Sequence, residues 1–439
     1  MQALTLLVVA QLASAQLPLY KTPGANVDDR VDDLVKRMNI EEKVNQLVLP
    51  FGAKFPADYA SYNTSGLGGT YPLTAQPGET AIETRNKWQR NAVENSRLGI
   101  PTSFIEETLH SSGNHGGGTN FPVLALQGCT WNAQIVQEAA AVIALEASVA
   151  GIDRGFSPVL HFCTDPRFGR CEESFGEDPF IVSTMGVAAV TGLSGPGGPG
   201  AASTYLAEPE RHIATEAKHY AAYGYCGRDG GCPAEISPNT LYDVYLKPWY
   251  KYAQAGGRAI MAAHNEVNGM PCHANAELNT ALRETFGFGK GLCASDAGDV
   301  SGVAGYRVAK DQTHAGALSL LSGMDQDLEF PGAFAKVPDM LAQGLVNMSD
   351  VDRAVGNVLR QKFAAGLFDK NDTLLYVDPT RHDAIVGAAP HRKLAQTVAE
   401  EGITLLKNDK LRLPLVGLGS TIKTIAVVGP NADNGEYSS

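Results

Sequence analysis

Gly291-Leu292-Cys293-Ala294-Ser295-Asp296-Ala297-Gly298 is the stretch on which the fold turns. A short apolar run, Gly291 to Ala294, ends on a carboxylate and then meets a glycine. The pattern predicts a buried β-strand that delivers Asp296 to the rim of a sheet or barrel. A carboxylate placed there can attack a sugar's anomeric carbon and form a covalent intermediate. A lone Asp after a strand serves equally well as a helix cap. The choice therefore depends on the rest of the chain.

The same punctuation recurs upstream. Ile100 to Ile105 is apolar and ends on Glu106-Glu107, with His110 three residues on. Gly155 to Leu160 leads into Asp165-Pro166-Arg167-Phe168-Gly169-Arg170. Ala214 to Ala217 leads into Lys218-His219-Tyr220, and Ala259 to Ala263 into His264-Asn265-Glu266. Helix-like stretches separate these runs: Ala133–Ala150, Pro179–Leu193, Asn239–Ala255 and Leu278–Phe286. Alternating strands and helices predict an α/β protein with a (β/α)8 TIM-like barrel from about Val27 to about Asp369. Such a barrel keeps its chemistry at the strand C-termini. The five polar strand exits would then converge on one pocket.

Asp165-Pro-Arg-Phe-Gly-Arg-Cys-Glu-Glu-Ser-Phe-Gly-Glu-Asp-Pro179, then Lys218-His-Tyr, then Asn265-Glu-Val-Asn-Gly269, then Ser295-Asp296, resembles glycoside hydrolase family 3. The likeness runs in order from roughly Val27 to the C-terminus, and four motifs in that order leave little room for chance. It implies a barrel domain over 16–368, a linker over 369–390, and the start of a second, α/β sandwich domain over 391–439. Ile422 to Asn431 reads as the first buried parallel strand of that second domain.

Composition fits an exported hydrolase. The 439 residues are 44% hydrophobic, with a net charge of −12 and no basic patch of the kind that binds nucleic acid. Ala3 to Ala10 is an apolar h-region, and Ala13-Ser14-Ala15 offers a small-residue cleavage site, so residues 1–15 read as a signal peptide. The n-region has no Lys or Arg, and a buried N-terminal helix is the competing reading. Extracellular or lysosomal/vacuolar localisation follows from export. No later stretch reaches the length of a membrane span. Asn63, Asn347 and Asn371 begin glycosylation sequons.

The chain has seven cysteines, with no zinc-like spacing. Cys163 and Cys171 flank the Asp-Pro-Arg-Phe-Gly-Arg loop, and Cys226 and Cys232 flank a Gly-rich loop. Both pairs are disulfide candidates, and the family resemblance implies bridges at similar places. Cys272 and Cys293 form a further candidate pair, leaving Cys129 over. Unpaired buried thiols are the alternative. The site calls for no metal or other cofactor.

Asp296 is the nucleophile candidate and must be ionised, which requires nearby donors or cations. Lys218, Arg170 and His219 are the sources the sequence offers. The resemblance implies that they bind the sugar in the first subsite. Solvated salt bridges for the cations and a core role for the histidine are the bland alternatives. Glu107 matches a glycone-gripping carboxylate that is Asp in many members and Glu in others, including some β-xylosidases; Glu106 is then the candidate for the surface. His264 stands where the family often has Tyr, so its charge is expected to vary near pH 6.5. Ala297 replaces a common Trp, which thins one wall. Glu172, Glu173 and Glu177 read as structural. The resemblance places the general acid/base of most members in the second domain, past Ser439. The loop 221–229 lacks the His of relatives that use an Asp-His pair. The reading is a secreted, exo-acting, retaining β-glycosidase for terminal β-D-glucosyl or β-D-xylosyl residues. Its partners are oligosaccharides or aryl and alkyl β-glycosides, not nucleic acid. A catalytically impaired sugar-binding fragment is the alternative.

Overall fold

Five of the apolar runs hydrogen-bond side by side in the computed structural model. It describes residues 17–50, 66–72, 78–113, 118–197, 210–225, 232–369, 375–409, 413–415 and 422–429, with isolated positions 75, 206, 208 and 432. The strands are β1 (Ile105–Glu106), β2 (Arg154–Gly155), β3 (Ala214–Tyr220), β4 (Ala259–Ala262) and β7 (Leu292–Ala294), all parallel and adjacent in that order. A small antiparallel hairpin, β5 (Glu266–Val267) with β6 (Met270–Pro271), sits in the excursion after β4.

Backbone hydrogen bonds continue the circuit beyond the ladders. Ser295 N donates to Gln326 O (2.9 Å), and Asp327 N to Leu47 O (2.8 Å). Tyr71 N donates to Pro50 O (3.2 Å), Thr70 N to Ser103 O (3.0 Å) and Ile105 N to Thr70 O (3.1 Å). Segments 45–50, 68–71 and 325–328 thus join the five strands in one ring, held by single bridges rather than ladders. Gly68 is required there, because a Cβ would stand 2.1 Å from the Gln46 carbonyl oxygen.

Helices cover the outside. Val27–Arg37 is capped by Asn26, whose side chain accepts from the N–H groups of Asp28 and Asp29, and buries Val27, Val31, Leu34 and Val35 on one face. Ala133–Val149 packs on Pro179–Ser194, where Gly192 lets the backbones approach: a Cβ would lie 2.3 Å from Gln137 O. The stretch expected as one helix from Asn239 to Ala255 is interrupted by a π-turn, Leu241–Tyr245, before Lys247–Gln254. Pro248, near the start of that last helix, has no N–H to continue an α-helical ladder. Asn347 caps Met348–Ala364 in a capping box with Asp350; the other two sequons fall outside the described residues. No helix among the described residues is long and apolar enough to cross a membrane.

Strand period fixes what fills the ring. Ile105 and Glu107, two apart, share the inner face, and so do Glu216 and Lys218. Low in the ring Arg154 meets Glu216 at 3.0 Å and donates to Gln326 Oε1 at 2.7 Å. Above lies an apolar layer of Leu49, Ile105, Phe156, Met261 and Leu328, on which Tyr71 and Ala297 pack. That layer is a floor, and the charged residues one step further along the strands stand on it. At the lower end the buried Lys362 ammonium donates to Gln46 Oε1 (2.7 Å), Leu67 O (2.6 Å) and Pro101 O (2.7 Å), tying the outer helix to three successive segments. Lys362→Met leaves these acceptors buried and unpaired. It is expected to cost about 2–4 kcal/mol, read as a lowered midpoint in urea or thermal unfolding.

Two expectations are corrected. Cys272 and Cys293 are both buried and unpaired, and Cys129 is free and exposed. Burial pushes both inner thiols up to about 12, so they behave as packed apolar side chains. Residues 422–428 pair with no strand among the described residues, and Ile425, Val427 and Val428 are exposed. Apolar periodicity identified a strand that has no sheet here to join. The Cys163–Cys171 bridge is present. Cys232 is disulfide-bonded, and Cys226 lies outside the described residues, as do the signal-like residues 1–15.

Candidate active site

β1, β3, β4 and β7 each exit onto a charged or polar residue at the same mouth. Glu107 follows β1 and meets Lys218 of β3 bidentately, at 2.6 and 2.8 Å from Nζ. The lysine is buried, and the Glu107 side chain is 38% exposed, so the carboxylate faces the opening. Burial raises the Glu107 pKa, and the Lys218 charge partly offsets this. Glu106 is the buried member of the pair, 1% exposed, with its side chain against Gly113. The expectation that it faces solvent fails because strand alternation turns it away from the mouth.

Asp296, just beyond β7, is held from several sides. His264 Nε2 lies 2.9 Å and His219 Nε2 3.5 Å from its Oδ2, and the Ala297 N–H donates to its Oδ1 at 2.7 Å. Its own N–H donates to His273 Nε2 at 3.2 Å. Burial pushes the Asp296 carboxyl up. The His264 hydrogen bond and charge, Lys218 and the Ala297 N–H outweigh that and hold it at about 2. Burial pushes His264 down, yet Asp296 and Asp299 on either side raise it to about 10. Its Nδ1 is 2.6 Å from Asp299 Oδ2. The expectation that its charge varies near pH 6.5 is therefore corrected, because the ring lies between two carboxylates.

Arg170 reaches the same cluster from the disulfide-closed loop. Its guanidinium is paired along one edge with Glu173 (2.9 Å at both contacts), approaches His219 Nε2 at 3.2 Å and donates to the Tyr223 hydroxyl at 3.3 Å. Glu173 thus fixes Arg170, in line with a structural role. His161 and His219 stack with Nδ1 atoms 3.0 Å apart, and burial, with the Lys218 and Arg170 charges, pushes both well down, His161 to about 3. Neutral rings against Arg170 and Lys218 avoid like-charge repulsion.

Of the six residues named from the sequence, Arg170, His219, His264 and Asp296 are linked by direct contacts, and the Glu107–Lys218 pair joins them through the chain adjacency of Lys218 and His219. Sequence reading passed over Asp299, His273, His161 and Tyr223. The spacing of Asp299, three residues past Asp296 on the same turn, was the available signal. Among the described residues no cluster of His, Cys, Asp and Glu is arranged to hold a metal.

Comparison with known proteins gives the family. Residues 39–361 match the model of the glycosyl hydrolase family 3 N terminal domain, and the chain belongs to that family. It is 32% identical to a putative beta-xylosidase of Formosa agariphila, covering 97% of this chain and 56% of the relative. It is 31% identical to a periplasmic beta-glucosidase of Salmonella typhimurium, covering 94% and 51%. Among solved structures, a β-glucosidase from Erythrobacter marinus superposes with a TM-score of 0.83 at 32% identity, covering 91% of this chain and 53% of that one. A Listeria innocua beta-glucosidase in complex with isofagomine gives 0.77 at 28%, covering 88% and 52%. The chain spans about half the length of the relatives it matches.

Proposed function

We propose that this chain carries the glycone site and nucleophile of an exported, retaining β-glycosidase acting on terminal β-D-xylosyl or β-D-glucosyl residues. One observation carries the reading: at the mouth of the barrel the Asp296 carboxylate meets His264 Nε2 at 2.9 Å and accepts from the Ala297 N–H at 2.7 Å, while Glu107 is gripped by Lys218 at 2.6 Å. Asp296 attacks the anomeric carbon and becomes an ester; water then displaces it, so configuration is retained. Glu107, with Lys218 fixing its orientation, accepts from glycone hydroxyls, and Arg170 and His219 border the same sugar. Relatives named beta-xylosidase and beta-glucosidase support the substrate class. The apolar N-terminus and the Cys163–Cys171 bridge support export. In this proposal none of the residues of the described site serves as the general acid/base.

The test is hydrolysis of aryl β-xylosides and β-glucosides by a longer form that includes a second domain, followed by NMR. The first-formed sugar is expected to be the β-anomer. An α-anomer would mean that water attacks directly and that Asp296 is not a nucleophile.

A further inference from the structure

His264 lies between two carboxylates, and only one of them belongs to the proposed nucleophile. Its Nε2 faces Asp296 at 2.9 Å and its Nδ1 faces Asp299 at 2.6 Å. A carboxylate oxygen only accepts, so satisfying both contacts requires a proton on each ring nitrogen. The ring is therefore an imidazolium, and it presents a charged donor to Asp296. The surroundings hold that arrangement. Tyr306 donates to the His264 carbonyl at 2.6 Å, fixing its backbone. His273, whose Nε2 accepts from the Asp296 N–H, is kept neutral by burial and lies 3.6 Å from Asp299. His219 stacks on His264 with centroids 6.2 Å apart, and the Tyr223 ring meets it edge-on at 5.6 Å. Lys218, bound to Glu107, is the other cation acting on Asp296. Of the groups packed on His264, Asp299 is the one in position to keep a proton on Nδ1.

We infer that Asp299 is a positioning residue that acts through His264, holding a cationic donor on Asp296 so that this carboxylate leaves readily when the glycosyl-enzyme breaks down. The inference rests on Asp296 being the nucleophile. In the second step the bond between the anomeric carbon and Asp296 breaks, and its electron pair returns to the carboxylate. A bond to the incoming nucleophile forms on the same carbon. The departing oxygen gains a full negative charge, and a charged donor stabilises it more than a neutral one does. In the glycosyl-enzyme Asp296 is an ester, so without Asp299 both carboxylates that raise the His264 ring are gone, and burial then favours loss of its second proton. Once that proton is lost, Asp296 departs with at most a neutral donor.

The experiment uses the 439-residue chain with 2,4-dinitrophenyl 2-deoxy-2-fluoro-β-xyloside and the matching glucoside. Their leaving group needs no general acid, and azide attack on the trapped ester needs no general base. Wild type, Asp299→Asn, Asp299→Glu and His264→Gln are labelled, freed of excess reagent and treated with azide between about pH 5 and 9, alongside NMR titration of the His264 ring. For wild type, release is expected to be flat with pH and the ring to stay charged. In Asp299→Asn the ring titrates within the range, and release falls about tenfold as pH rises through that point. Asp299→Glu restores the flat profile. His264→Gln, which keeps a neutral donor, releases slowly at every pH, matching the high-pH limit of Asp299→Asn. Flat, wild-type-like release in Asp299→Asn, or a ring that stays charged without Asp299, overturns the inference. A wild-type chain that takes no label at Asp296 overturns the nucleophile assignment beneath it, a result distinct from a labelled wild type with an unmoved variant. A structural role for Asp299 alone would lower folded fraction and label yield without creating a pH-dependent release rate, and that result also counts against the inference.

Discussion

Asp296→Ala, made in a longer form of the protein with a second domain, is expected to lower hydrolysis of aryl β-xylosides or β-glucosides by several powers of ten. The substitution removes the atom that forms the covalent intermediate, so the two-step route is lost rather than slowed. The change should fall on kcat far more than on KM, because Glu107 and Lys218 meet each other without Asp296 and would still hold the sugar. The fold should be little affected. Removing Asp296 leaves His264 paired to Asp299 and leaves the His273 contact, which is made by the backbone N–H of residue 296, in place. Steady-state kinetics on both substrate types would check this. Activity near the wild-type level in Asp296→Ala would show that the attacking carboxylate lies elsewhere.

Residues 16–439 alone are expected to turn over ordinary glycosides very poorly and activated aryl glycosides much faster. The carboxylates at the mouth are each paired with a cation: Glu107 with Lys218, Glu173 with Arg170 and Asp299 with His264. These pairings favour the ionised carboxylate over one that carries a proton to the leaving group. General acid assistance is typically worth about 10²–10⁴-fold, and a stable phenolate needs little of it. The rate should therefore fall steeply as the leaving group becomes less acidic, when paired substrates with dinitrophenyl and alkyl aglycones are assayed side by side. Equal, rapid hydrolysis of both would place a general acid within these residues.

Much of this site was legible because chemistry at a barrel mouth leaves a strand-then-charge signature. Ile105 before Glu107, Ala217 before Lys218 and Ala294 before Asp296 are buried runs that lead onto charged residues at the mouth. The three ring segments at Val48-Leu49, Gly68-Gly69-Thr70 and Asp325-Gln326-Asp327 were not legible. They are too short for a period to show, and they pair through single bridges. Tertiary context also decided what local pattern could not. Cys272 and Cys293 are both buried but do not bond. Glu106 and Glu107 are indistinguishable as letters until strand alternation turns one inward. The charge of His264 is set by Asp296 and by Asp299, which packs against it in space across a separation of 35 residues. Ile422–Val428 has the composition of a strand but no neighbouring strand among the described residues.

The most direct test is to identify the residue that carries the sugar. The chain is incubated with 2,4-dinitrophenyl 2-deoxy-2-fluoro-β-xyloside or the corresponding glucoside, digested with a protease, and the labelled peptide is sequenced by mass spectrometry. The expected result is one fluoroglycosyl group, on Asp296. A label on Glu107, Asp299 or any other carboxylate, with Asp296 unmodified, would contradict the account.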